Sequence, residues 1–119
     1  MATIKRVEEI EAWQEGRRLV RKIYGITREG SFSKDYAQKD QLRRASISIV
    51  ANIAEGFERD SNTEFVHFLS VAKGSAGALH SLLNVALEEV YVDVQLFEDL
   101  HEQSCRTIPK IAGLLYYFC

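Results

Sequence analysis

Three histidines, two cysteines and a crowd of arginines are the groups in this chain with chemistry to offer. His101 and Cys105 lie four apart, which puts them on one face of a helix at a spacing that can chelate a metal. The other two ligands of a tetrahedral centre are not evident, since His67 and His80 fall on a different helix; neither a metal nor a cofactor is expected. Ser46, Ser48 and Ser75 have no histidine base at a helical spacing. Glu88 and Glu89 are adjacent, so on a helix their carboxylates diverge. Lys73-Gly74-Ser75 lacks the glycine-rich turn and preceding strand of a phosphate loop. No catalytic residues are assigned, and no small-molecule substrate is evident.

The cations carry the stronger signal. The net charge is only −2, yet Arg17 to Arg44 holds nine basic residues against three acidic ones, and Glu55 to Glu102 holds ten acidic against two basic. Such runs are often solvated helix faces. They can also form a basic patch for nucleic acid, here Arg17, Arg18, Arg21, Lys22, Arg43 and Arg44, or complementary edges for self-association. A mildly acidic protein is a poor prior for strong phosphate binding.

Those residues must be positioned by helices. With 119 residues, one proline and no long period-2 alternation, the sequence fits a single all-α domain over residues 1–119. No apolar run reaches a membrane span. The N-terminus MATIKRVEEIEAW has no apolar leader core, and Cys105 and Cys119 are the only thiols, so a reducing cytoplasm is expected. Helix 1 is read from about Val7 to Thr27, with Ile10, Trp13, Val20, Ile23 and Tyr24 inward, Trp13 a core anchor and Gly16 a point of close helix approach. Helix 2 runs from about Asp35 to Phe57. Helix 3 opens at Ser61 or Asn62, where Ser61 and Glu64 have capping-box spacing. Its stripe is Phe65, Phe68, Ala72, Ala76, Leu79, Leu83, Ala86 and Val90, and Gly74 and Gly77 suggest a helix passing close to its backbone. Helix 4 spans about Asp93 to Tyr117, with Pro109 inside it and a kink or break expected there. Short connections give an up-down-up-down antiparallel four-helix bundle.

Helix 2 has two apolar stripes. Leu42, Ala45, Ile49, Ile53 and Gly56 would face the core. Ile47, Val50, Ala54 and Phe57 form a second face, read as a subunit interface. Asn52 and Glu55 between them are expected to be structural and hydrogen-bonded, and Arg44 to have an acidic partner, with Glu55 of another subunit a candidate.

The stretch QLRRASISIVANIAEGFERDSNTEFVHFLSVAKGSAGAL resembles a small bacterial family: four-helix bundle proteins encoded within intervening sequences of large-subunit ribosomal RNA genes. The accessory protein of diversity-generating retroelements is similar to them. The resemblance rests on Gln41-Leu42-Arg43-Arg44-Ala45, on Asn52-Ile53-Ala54-Glu55-Gly56-Phe57, on Phe68-Leu69-Ser70 and on Gly74-Ser75. It marks Arg44, Asn52, Glu55, Gly56, Gly74 and Ser75 as family positions. It implies a four-helix bundle assembled as a homopentamer, with no enzyme activity. It also implies that the retroelement relative binds nucleic acid and a reverse transcriptase through a basic surface. The function expected is therefore a non-enzymatic oligomeric scaffold with a protein or nucleic-acid partner. The alternative is a nucleic-acid-binding accessory protein, associated with an rRNA intervening sequence or a retroelement, using the basic surface of helices 1 and 2.

Overall fold

Three of the four helices begin where a side-chain oxygen can take an orphan N–H of the first turn. Asp35 Oδ1 accepts from Gln38 N (3.1 Å), Ser61 Oγ from Glu64 N (3.2 Å) and Asp93 Oδ1 from Leu96 N (2.7 Å). The computed structural model describes residues 4–118, and its helices are α1 (Glu11–Thr27), α2 (Tyr36–Glu58), α3 (Asn62–Glu88) and α4 (Val94–Phe118). α1 packs on α2 and α4, and α3 packs on the same two, so consecutive helices are neighbours around an antiparallel four-helix bundle of 46 × 22 × 19 Å. Among the described residues no helix is long and apolar enough to cross a membrane.

Several expectations are corrected. Helix 1 does not start at Val7: Val7–Glu9 is a separate 3-10 turn, and Ile10, with extended backbone (ψ 117°), breaks it from α1. The α1 core face is Ala12, Gly16, Leu19, Ile23 and Thr27, while Trp13, Val20 and Tyr24 are only half-buried beside it. Ser61 caps α3, but Glu64 turns toward Arg59 (3.6 Å) instead of back to the Ser61 N–H. Val90 is not on the α3 stripe; it lies past the helix end, 82 % exposed, with φ +63°. α4 runs unbroken through Pro109, whose missing N–H falls on an exposed position.

Val90 in the left-handed region closes α3 with a 6→1 bond from Tyr91 N to the Ala86 carbonyl (2.9 Å). That backbone is costly for a β-branched residue, and the two residues after Val90 hold it in place. Tyr91 stacks on Phe32 (centroids 4.8 Å, 15°) and donates its hydroxyl to Asp35 Oδ2 (2.7 Å). Val92 is buried, as is Phe32. The two loops at this end of the bundle are thus tied to each other and to the α2 cap.

The tie has a pH signature. The Tyr91 hydroxyl, and next the Gln38 N–H, hold the Asp35 carboxyl below its ordinary 3.8. A depressed folded pKa adds stability that is present above the unfolded value and lost as pH falls through the folded one. The melting-temperature gap between wild type and Asp35→Asn, which keeps a capping side chain, is expected to be constant near neutrality. It should shrink as pH drops below about 3.8. A circular-dichroism melting series from pH 7 to pH 2.5 reads this; a gap that does not change refutes it.

Candidate functional site

Four of the six family-like positions, Asn52, Glu55, Gly56 and Ser75, lie along the seam between α2 and α3. Asn52 Nδ2 donates to the Ser48 carbonyl (2.8 Å) and to Ser48 Oγ (3.0 Å), and Ser48 Oγ shares a hydrogen bond of 2.7 Å with Ser75 Oγ on α3. One turn further along α2, Gly56 lies against α3: a Cβ there would sit 2.8 Å from Phe68 Cβ and 2.9 Å from Phe65 Cδ1. At the connecting turn Arg59 pairs with Glu55 (2.7 Å) and lies over the Phe68 ring at 5.1 Å. The Glu55 hydrogen bond raises the Arg59 pKa above its ordinary value, fixing the charge. Asn52, Glu55, Gly56 and Ser75 therefore all act in holding α3 to α2. Within the subunit Glu55 has its partner four residues on, at the cap that ends its helix. Arg44 also pairs within the subunit, with Asp40 at 2.7 Å, and its side chain is 75 % exposed, not held between apolar stripes.

Gly74 and Gly77 depart from expectation. Both are exposed, and a Cβ added at either meets nothing within 4 Å in the subunit. The close approach occurs at Gly56 and at Gly16, where Val50 Cγ1 would stand 2.9 Å from an added Cβ. Val50 is thus committed to α1. Ala54 and Phe57 are half-buried, and of the second α2 stripe Ile47 alone is exposed, at 39 %.

The candidate nucleic-acid contacts are partly used inside the fold. Lys22 reaches Asp99 on α4 (3.1 Å), and Arg18 pairs with Glu15 (2.8 Å). Glu15 also takes a bond from Gln103. Arg43 donates to Thr27 Oγ1 (2.9 Å) and covers the Tyr24 ring at 4.3 Å. Arg17 lies over Trp13 at 5.9 Å. Arg17, Arg18 and Arg21 still line one open depression of about 550 Å³ with Trp13, Gln14 and Glu8. Trp13 lines it too while, half-buried, it also packs against the edge of the core.

His101 and Cys105 do share a face, with Sγ 3.5 Å from Nε2, and His80 joins them from α3. His80 is 21 residues away in sequence, and only the α3–α4 hairpin brings it there. Sequence reasoning misses two Glu-x-x-His spacings, Glu64 to His67 and Glu98 to His101, of the kind used in di-iron bundles. Glu64, His67 and Glu98 are exposed on the outside of the bundle, so these spacings build no interior centre. Cys119 lies outside the described residues.

A family model described as 23S rRNA-intervening sequence protein matches residues 8–113. The fold is also that of a crystal structure of a protein of unknown function from the S23 ribosomal protein family of Bacteroides thetaiotaomicron VPI-5482. The TM-score is 0.79 at 19% identity, over 87% of this chain and 97% of that one. No curated protein matches significantly. Residues 8–113 include the whole α2–α3 seam, and the chain belongs to the 23S rRNA-intervening sequence protein family.

Proposed function

We propose that this chain is a non-enzymatic interaction scaffold that assembles with copies of itself through the outer side of α2 and α3. The carrying observation is a group of exposed apolar residues around the Ser48–Ser75 bond. Ile47 (39 % exposed) and Ala51 flank Ser48; Val71 (40 % exposed), Gly74 and Ala78 flank Ser75. Glycine in an exposed helix interior costs about 1 kcal/mol relative to alanine. A neighbour lying close over Gly74 and Gly77 would offset that cost. Ile47, Ala51, Val71, Gly74 and Ala78 themselves are uncharged, as the buried centre of a subunit contact is, and the exposed Arg44, Glu55 and Lys73 stand beside them. A closed ring is the assembly expected, five-membered by the family resemblance. Charge complementarity is a weaker guide to its register, because Lys22–Asp99 and Lys110–Glu11 pair within one subunit.

Light scattering coupled to size exclusion tests this. Wild type should elute as a multiple of 13.6 kDa at micromolar concentration. Ile47→Glu and Val71→Glu should each lower the mass toward one subunit with helical content intact, since a carboxylate desolvated without a partner opposes association. Val50→Glu is a poorer probe, because Val50 packs on Gly16 inside the subunit. A wild-type monomer, or both variants assembling normally, overturns the proposal.

The second reading, nucleic-acid binding, is favoured by one observation: Arg17, Arg18 and Arg21 around a single depression. Three phosphate contacts per subunit would give a log–log salt slope of about −2.7 on duplex. Filter binding at varied salt reads it, and affinity independent of salt excludes it.

A further inference from the structure

Along the outer seam between α1 and α2, three aromatic rings each carry a cation. Arg17 lies over Trp13 at 5.9 Å, Arg43 over Tyr24 at 4.3 Å and Lys39 over Tyr36 at 4.8 Å. Trp13 and Tyr24 are 11 residues apart on α1. That is about three turns, so they share one face, roughly 16 Å apart along the axis. α2 runs the opposite way, and from Arg43 to Tyr36 it carries the row on by roughly 10 Å. An open depression lies at each end of the row, about 550 Å³ beside Trp13 and Arg17 and about 500 Å³ beside Tyr36, Lys39 and Arg43. The cations on α2 are held in place: Arg43 Nε donates to Oγ1 of the buried Thr27 (2.9 Å), and Lys39 Nζ to the Ser33 carbonyl (3.1 Å). Tyr36 is 72 % exposed. The carboxylates that line the depressions, Glu8 and Asp40, are each paired already, with Arg6 (3.0 Å) and Arg44 (2.7 Å).

We infer that this seam is a track for single-stranded nucleic acid, an inference that rests on the nucleic-acid reading above and narrows it. Cations alone do not choose between strands, because a duplex presents phosphates as well as a single strand does. The rings make the choice. In a duplex each base is covered on both faces by its neighbours, so an aromatic side chain meets only edges and backbone. An unpaired strand can splay its bases and lay them on a ring or on the plane of a guanidinium. Tyr36 offers such a ring. Arg43 offers such a plane, backed by Tyr24 and fixed by Thr27. Arg17, Arg21 and Lys39 stand where the phosphates between the bases would pass. A line of alternating rings and cations suits a polymer that alternates bases with phosphates. The order of the bases matters little, since every base has a face to stack.

The probes are mixed-sequence oligonucleotides of about 12 nucleotides, within the ~4–16 that a single-strand-binding fold covers. One is RNA, one is DNA, and the third is the DNA duplex; fluorescence anisotropy at several salt concentrations gives each Kd. At least one single strand should bind about fivefold or more tighter than the duplex, the lower end of what one base–aromatic stack contributes. All three should weaken as salt rises. Trp13 is the one tryptophan of the chain, so its emission reports on the row directly. Single strand should quench it at saturation, and duplex should quench it less. Tyr36→Ala should weaken single-strand binding at least about fivefold and duplex binding by less, and Tyr36→Phe should restore it. Tyr36 is exposed, and a circular-dichroism melt of each variant checks that the fold is kept. The track is overturned by a duplex bound as tightly as both single strands, by Tyr36→Ala binding the single strand as wild type does, or by Trp13 emission unmoved at saturation. In each of those cases the nucleic-acid reading itself still stands. Absence of salt-dependent binding to all three probes removes that reading and the track together. Polyglutamate displacing the single strand as well as an oligonucleotide of equal charge overturns the track in favour of an acidic polypeptide.

Discussion

Phe65→Ala is expected to lower the unfolding free energy by about 3–5 kcal/mol, the range for removing a fully buried aromatic ring. Phe65 is 0% exposed and sits in the first turn of α3, where three elements meet. Its ring lies 5.1 Å from Phe118 near the end of α4, tilted by 53°. Its Cδ1 and carbonyl line the groove that receives the bare backbone of Gly56 on α2. Alanine would leave a cavity against all three, and the helices cannot close it, because Gly56 and Phe68 are already in contact on one side. Phe118 would lose the contact that seats it and become more exposed. Urea unfolding should show a lower midpoint with little change in slope. A loss under 1 kcal/mol would mean that the α2–α3 turn relaxes freely and that Phe65 is not its anchor.

The helices are legible because their apolar spacing and their caps agree. Asp35 and Ser61 read as helix starts, and both are N-caps. Which face of α1 turns inward is not legible. Spacing alone favours the largest side chains, Trp13, Val20 and Tyr24. The contact selects small ones, since Gly16 must receive Val50 and Ile49. The aromatics flank that contact, where Arg17 and Arg43 cover their rings. Phe68 on α3 obeys the same logic, half-buried beside Leu69 and covered by Arg59.

Polar partners are harder still. Asp40 stands four residues before Arg44, so their pairing is local and open to a helical-spacing argument. The expectation of a distant carboxylate rests on a buried Arg44, and Arg44 is exposed. The Ser48–Ser75 and His80–His101 contacts join different helices across 27 and 21 residues. No spacing rule fixes which residues of two packed helices meet; that depends on the hairpin register set by the turns and the core. The last turns of α4 show the same limit. Their apolar residues divide, with Phe118 closing on Phe65 while Tyr116 and Tyr117 are 90 % and 78 % exposed.

Glycine is where sequence and structure part most clearly, and it gives a pair of substitutions of opposite sign. A glycine-to-alanine change inside a helix gains about 1 kcal/mol from backbone propensity alone. At Gly74 nothing lies within 4 Å of the new Cβ, so Gly74→Ala should stabilise an isolated subunit by about that amount. At Gly56 the same methyl would sit 2.8 Å from Phe68 Cβ, 2.9 Å from Phe65 Cδ1 and 3.3 Å from the Phe65 carbonyl. A Cβ and a carbonyl are parts of α3 itself and cannot rotate away, so the two helices must separate. Overpacking of this kind typically costs about 1–3 kcal/mol. The packing cost should outweigh the propensity gain, and Gly56→Ala should be destabilising by up to about 2 kcal/mol. Gly16→Ala should fall between the two, because its neighbours are the methyl groups of Val50 and Ile49, which can turn. Urea midpoints of the three variants, measured at concentrations where each is in one assembly state, should rank Gly74→Ala above Gly16→Ala above Gly56→Ala. If Gly56→Ala is as stable as wild type, the α2–α3 seam has slack that the present geometry does not allow. This ranking is for the dissociated subunit; in the assembled protein, where the proposed neighbour covers Gly74, the same Gly74→Ala change should lower the mass in solution.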